Sequence, residues 1–287
     1  MLEPVAATLA DGRLHLQHGP IDLLVGIDAA SPVAAVGYRA AAARFPDILP
    51  QLAGELPALR TAVGEAYPLL AGPVARRMAR AAWPHREVFV TPMAAVAGAV
   101  ADEILAEIVS VGPVRRAHVN NGGDIAFHLA PGERYRAGLV TDIDHPSLDG
   151  FADLAASQGV AGVATSGWRG RSHSLGIADA VTVLAADAAS ADIAATLIAN
   201  ATNTDDPAIE RRPARELMPD SDLGDRLVTV GVGPLADAQV VEAIAAGQAA
   251  AMAMWRRGLV HGAIVALAGR VAVIGEVPAP ELTRSVS

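Results

Sequence analysis

Residues 115–143 read RRAHVNNGGDIAFHLAPGERYRAGLVTDI, and the fold class turns on them. RRAHV, DIAFHLA and RYRAGLVTDI are short strand-like runs, and the clusters NNGG and PGE between them are turn-forming. This spacing predicts three consecutive antiparallel strands, because a parallel pair needs a crossover of about a dozen residues or more. The tight turn falls at Asn120 to Gly123, where an Asn-Gly pair supplies the positive φ that a two-residue hairpin demands.

Upstream, EVFV (87–90) reads as a short strand, Thr91 as a helix cap with Pro92 at the first position, and AAVAGAVADEILAEIV as a buried helix of about four turns. Before that, VAATLA, RLHLQ and IDLLVGI are separated by Asp11-Gly12 and His18-Gly19-Pro20, the pattern of a small antiparallel meander. Ser31-Pro32 opens a helix through AAVGYRAAAARF, and prolines 46, 50 and 57 are expected to cut the next helical stretch into short pieces.

Downstream come the strand GVATS, the polar insert WRGRSHSLG, the strand ADAVTVLAA, a helix starting near Ser190 and the strand RLVTVGV. A long Ala-rich helix over 237–256 and a final strand pair close the chain. Strands and helices mix without regular βαβ alternation, so the fold class expected is α+β, with mixed or antiparallel sheets and flanking helices. The chain is expected to be a single domain over 1–287, built of two lobes, about 1–110 and 111–287, that do not fold independently.

Hydrophobic residues make up 52% of the chain and aromatics only 3%, so the core must be assembled from Ala, Val, Ile and Leu. The net charge of -9 opposes steering onto a nucleic-acid backbone or an anionic membrane. The absence of cysteine excludes disulfides, zinc-thiolate sites and thiol nucleophiles. The acidic start MLEPVAATLADGR does not resemble a secretory signal, and a cytoplasmic location is expected. The apolar stretch GLVHGAIVALAGRVAVIG is broken by His261, Arg270 and glycines, and reads as paired strands rather than a membrane span. The apolar helix 237–256 is compatible with a homodimer.

Three constellations carry candidate chemistry. At Asn121, Gly122, Gly123 and Asp124 the glycines admit close backbone approach, turn amides suit phosphate oxygens, and Asp124 suits a hydroxyl or a cation; an ordinary hairpin explains the same residues. At Thr165, Ser166, Gly167, Arg169 and Arg171, hydroxyls, glycine backbone and two guanidinium forks between apolar strands are the groups a diphosphate needs. Asp192 and Thr196 lie four apart on one helix face below a capping Ser190; oxygen ligands of this kind suit Mg²⁺, and an acid serving the helix dipole with a packed Thr is the plainer alternative. Asp179, set in GIADAVTV, is a second candidate acid. Ser166 lacks the G-x-S-x-G of a hydrolase elbow, and His118 with His128 lack a third metal ligand, so no catalytic residue is assigned.

Taken in order, TPMAAVAGAVAD, NNGGDIA, GVATSGWRGRSHSLGIADAVTVLA and ADIAATLIAN resemble the UPF0280 family, a cytoplasmic branch related to ApbE, the FAD:protein FMN transferases. The resemblance covers roughly residues 85–270. It implies a two-lobed α+β fold and Mg²⁺-dependent passage of FMN from FAD to a threonine hydroxyl of a target protein, with release of AMP. Gly122, Gly123 and Asp124 match the family's Gly-Gly-Asp, Thr165, Ser166 and Gly167 its Thr-Ser-Gly, Asp192 and Thr196 its metal ligands, and Asp102 the acid ending its helix motif. Two departures from the ApbE enzymes stand out: Ala97 precedes Gly98 where they have Lys, and RGRSHSLGIADA replaces their His-x-x-Asp-Pro-x-Thr-Gly. Three readings therefore remain open: FAD or a related nucleotide with Mg²⁺ chemistry at its pyrophosphate, a non-catalytic cofactor carrier, and a divergent enzyme of one-carbon or pterin metabolism.

Overall fold

A computed structural model describes residues 3–139, 150–170 and 172–277 of the chain, and its antiparallel strands and packed helices make it α+β. The meander expected at the start is present: β1 (Val5–Thr8), β2 (Leu14–His18) and β3 (Ile21–Asp28) pair antiparallel in sequence.

Helix α1 (Ser31–Gly54) corrects one expectation, because it runs unbroken through Pro46 and Pro50. Its buried face, Gly37, Ala41, Phe45, Ile48 and Leu52, repeats at helical spacing, so tertiary burial overrides the two missing N–H groups. The carbonyls those prolines leave unbonded belong to Ala42 and Pro46, neither of them buried, where water can reach them. The helix is entered from Ala30, and Ser31 makes no side-chain cap. A short α2 (Leu56–Leu59) and α3 (Pro73–Ala82) follow.

EVFV is not a strand. It follows a 3₁₀ turn at Trp83–His85 and precedes the Thr91-Pro92 break; the Val90 carbonyl accepts from Val63 N–H, and Val88 is exposed. After a 3₁₀ turn at Pro92–Ala95, α4 (Val96–Ser110) is buried on most sides, including Asp102 and Glu103. Glu103 is held by Arg44 from α1 and Arg77 from α3, each at 3.0 Å, which pairs a charge that could not otherwise be buried.

Strands β4 (Arg116–Asn121) and β5 (Asp124–Leu129) form the expected hairpin. The third strand does not join it: β6 (Arg134–Leu139) pairs with β7 (Gly150–Ala155), and the free edge of β5 takes β8 (Gly162–Ser166) through Val163 and Gly162. Alternation in RYRAGL fixes a strand but not its partner, and β6 finds a match in Arg136 with Asp153 at 2.9 Å. Then come β9 (Ala180–Ala185), α5 (Ala188–Ala201), β10 (Ile209–Pro213), a short α6 (Ala214–Leu217), β11 (Leu227–Val232), α7 (Asp237–Arg256), β12 (Gly262–Leu267) and β13 (Arg270–Gly275).

The chain forms two compact units, each drawn from several stretches. One holds residues 1–135, 155–164 and 185–193; its strands run β1-β2-β3-β4-β5 and the start of β8, with α1, α3 and α4 packed together. The other holds 136–154, 165–184 and 194–287; its strands run from the end of β8 through β9 and β12 to β13, with α7 packed on β12 and β13, and β10 and β11 paired separately.

Candidate functional site

In the first unit, α4 and the start of α5 grip each other by reciprocal hydrogen bonds. Asp102 accepts from the N–H groups of Ala188 (3.0 Å) and Ala189 (2.9 Å), the first two residues of α5, which would otherwise be orphaned. One turn earlier, Gly98 abuts the Ala188 carbonyl so closely that any Cβ would collide with it, and its N–H donates to Asp192 at 3.0 Å. The cap of α5 is Asp187, whose carboxylate accepts from Ser190 N–H at 2.7 Å; Ser190, expected to be the cap, is the residue being capped. Gly162 in β8 lies against the Asp187 carbonyl with no room for a side chain, which fixes the entry to the helix.

Asp192 thus projects from a rigid support. Burial raises its pKa well above the ordinary carboxylate value, and the charge of Asp124 raises it further. The N–H groups of Gly98 and Ala97 pull the other way, and Asp102 adds a smaller increase. Asp102 itself is pushed up to about 6, chiefly by burial, against the hydrogen bonds from Ala189 and Ala188. Three acids therefore crowd one end of α5, where like charges disfavour one another.

The Gly122-Gly123 turn, with φ of 65° and 113°, brings Asp124 to this place, and the Asn120 side chain accepts from Gly123 N–H at 2.8 Å. Asn121, expected to face a cofactor, is buried and gives its amide N–H to the Ala97 carbonyl at 3.0 Å, tying the turn to the start of α4. His118 packs under Gly26 and against Tyr135, with its pKa lowered by burial, and His128 bonds the Val114 carbonyl.

In the second unit, the hydroxyls of Thr165 and Thr182 share a hydrogen bond at 2.9 Å, and Gly167 leaves no room for a side chain against the Asp179 carbonyl. Trp168 and Arg169 both reach Asp179, at 3.3 Å. Arg171 lies outside the described residues. The far end of the insert is anchored by Asn200, which accepts from Leu175 N–H at 2.8 Å, and by Thr229, whose hydroxyl donates to the Gly176 carbonyl at 2.8 Å. Asn200 and Thr229 escape sequence reasoning because each is an ordinary polar residue in its own segment. Gly98 and Asp102 share a legible spacing of four on one helix face. Thr196 stands one turn beyond Asp192 on α5. Among the described residues, no three His, Cys, Asp or Glu side chains are gathered in a way that could hold a metal ion.

A family model described as AbpE bacteria matches residues 6–273. A UPF0280 protein of Methanopyrus kandleri is 42% identical over 148 residues, 51% of this chain and 56% of its own length. Another, of Methanothermobacter thermautotrophicus, is 40% identical over 135 residues, 46% of this chain and 50% of its own. The chain spans about half the length of these curated relatives. Among solved structures, an ApbE protein from Thermotoga maritima aligns over 96% of this chain and 97% of its own, at 12% identity and a TM-score of 0.49. The flavinyl transferase ApbE of Pseudomonas stutzeri aligns over 95% of each chain, at 12% identity and a TM-score of 0.43.

Proposed function

The chain belongs to the AbpE bacteria family, and from that premise we propose that it binds a flavin or a related nucleotide cofactor and acts with Mg²⁺ at the cofactor's pyrophosphate, by transfer or hydrolysis. The observation that carries this reading is the state of Asp192: a carboxylate pinned by Gly98 N–H, pushed toward protonation by burial and by Asp124. Such a group is costly as an anion on its own, and a cation beside it would reverse the cost. The donor set fits a hard cation. It offers only oxygens, Asp192 with Thr196 one turn on, and Mg²⁺ takes few protein ligands and fills its octahedron with phosphate oxygens and water. When bound, the ion would neutralise charge developing on a phosphate.

The candidate residues of each unit have separable tasks. Asp102 and Gly98 hold the first turn of α5 and so fix where Asp192 points; Asp124 supplies a second acidic oxygen at the β4–β5 turn. In the second unit, Thr165, Ser166, Gly167 and Arg169 supply hydroxyl, backbone and guanidinium groups of the kind that hold phosphates. AMP release from FAD with Mg²⁺, with water or an added threonine-containing peptide as FMN acceptor, tests the reading: the wild type is expected to produce AMP and Asp192→Ala to lose that activity. Intact FAD with the wild type would sink catalysis. A second reading, a carrier that binds the cofactor without turnover, is favoured by WRGRSHSLG standing where the transferases hold their His-Asp-Pro-Thr-Gly pattern. It predicts cofactor binding without AMP release. Among the described residues no helix is long and apolar enough to cross a membrane. A homodimer, a small-molecule cofactor as partner and a cytoplasmic location remain part of the proposal.

A further inference from the structure

Asp179 gathers three segments of the second unit. One carboxylate oxygen accepts from the Trp168 indole N–H and from Arg169 Nε, both at 3.3 Å; the other accepts from Ala268 N–H at 2.7 Å. Ala268, in the β12–β13 turn, has φ of 49°, the one non-glycine residue with positive φ among those described. An alanine there is strained, and the short bond to Asp179 helps to hold it. The backbone repeats the same attachment: Trp168 N–H donates to the Ala178 carbonyl at 3.0 Å, Asp179 N–H donates to the Ala266 carbonyl at 3.0 Å, and Gly167 lets the two chains touch. On this base the Arg169 guanidinium lies over the Trp168 ring, 4.3 Å from its centroid. Both side chains remain partly exposed, Arg169 by 34%.

A tryptophan fixed by its N–H edge and an arginine fixed by its Nε edge form a preset π-cation surface. An arginine stacked on an aromatic ring presents a flat guanidinium and a positive charge together. Planar heteroaromatic rings stack on such surfaces, and a phosphate on the same molecule is drawn to the charge. We propose that Trp168 and Arg169, positioned by Asp179, are the platform on which this protein stacks the planar heteroaromatic ring of a phosphate-bearing ligand. The proposal rests on the cofactor reading above and assigns part of that recognition to the residues that replace the transferase motif.

The test is calorimetric titration of the intact protein, with Mg²⁺ present, against flavin mononucleotide and against inorganic pyrophosphate. Trp168→Ala is expected to weaken flavin mononucleotide binding by about tenfold or more. Trp168→Phe should keep it within about threefold, because a stacking face remains. Asp179→Asn, which can still accept from Ala268, should weaken it several-fold by removing the charge that positions both platform side chains. Pyrophosphate binding should be the same in the wild type and both Trp168 variants. Equal flavin mononucleotide affinity in the wild type and Trp168→Ala overturns the platform and leaves the cofactor reading standing. A wild type that holds flavin mononucleotide no better than pyrophosphate also overturns the platform, since the ring then adds nothing. Binding of neither overturns the platform and the cofactor reading together.

Discussion

The α4–α5 junction of the first unit and the 167–177 insert of the second are both held by side chains that hydrogen-bond backbone groups, yet with different electrostatics. At the junction the acceptors are the carboxylates Asp102, Asp187 and Asp192, near one another and, for Asp102, buried. At the far end of the insert the anchors are neutral, Asn200, Thr229 and Ser174, and Asp179 at the near end is paired with Arg169. Neutral anchors hold a loop at either pH extreme. Crowded carboxylates hold a helix but tie its stability to their protonation. The first arrangement suits a metal-responsive site, and the second suits a loop whose middle residues can change while its ends stay fixed.

The contrast breaks hardest at Gly98. Gly98→Ala drives a Cβ into the Ala188 carbonyl, and loss of about 3 kcal/mol or more is expected in denaturant unfolding. A wild-type midpoint would mean the two helices are not locked here.

The pH response sharpens it next. The Asp102 pKa is raised from 3.8 to about 6, so the folded state holds its proton more tightly than the unfolded state. Stability from this group is highest below pH 4 and falls as pH rises through about 6, by about 3 kcal/mol at 1.36 kcal/mol per pKa unit. Urea unfolding from pH 4 to 7 should show this fall, and Asp102→Asn should flatten it; an unchanged slope would remove Asp102 as its source. Asn200→Ala is expected to cost less, about 1–2 kcal/mol, since one half-buried N–H loses its acceptor, and with no added pH dependence across the same range.

Much of this was legible in the sequence. Short runs bounded by turn residues located most strands, though not β7 or β10, and the α+β class followed from the lack of βαβ units. Pairing was less legible: RYRAGL announces a strand, but its partner β7 is fixed by long-range complementarity. Pro46 and Pro50 argued for a break that burial of Phe45, Ile48 and Leu52 outweighs, and EVFV has strand composition without a neighbour to pair with. At the site, Asp192 and Asp124 could be named from motif resemblance. The double cap from Asp102 to α5 joins residues 86 and 87 positions apart, and no local pattern encodes such a distance.

We propose that Asp192 is a cation ligand whose carboxyl, raised in pKa by burial and by Asp124, holds its proton more tightly than an ordinary carboxylate until the ion arrives. Calorimetry of Mg²⁺ binding in two buffers of different ionisation enthalpy, at pH 6 and with FAD present, measures both events at once. Saturable Mg²⁺ binding accompanied by proton release is predicted for the wild type, with both lost in Asp192→Ala. Equal Mg²⁺ affinity in the variant, or binding that releases no proton, would contradict that claim.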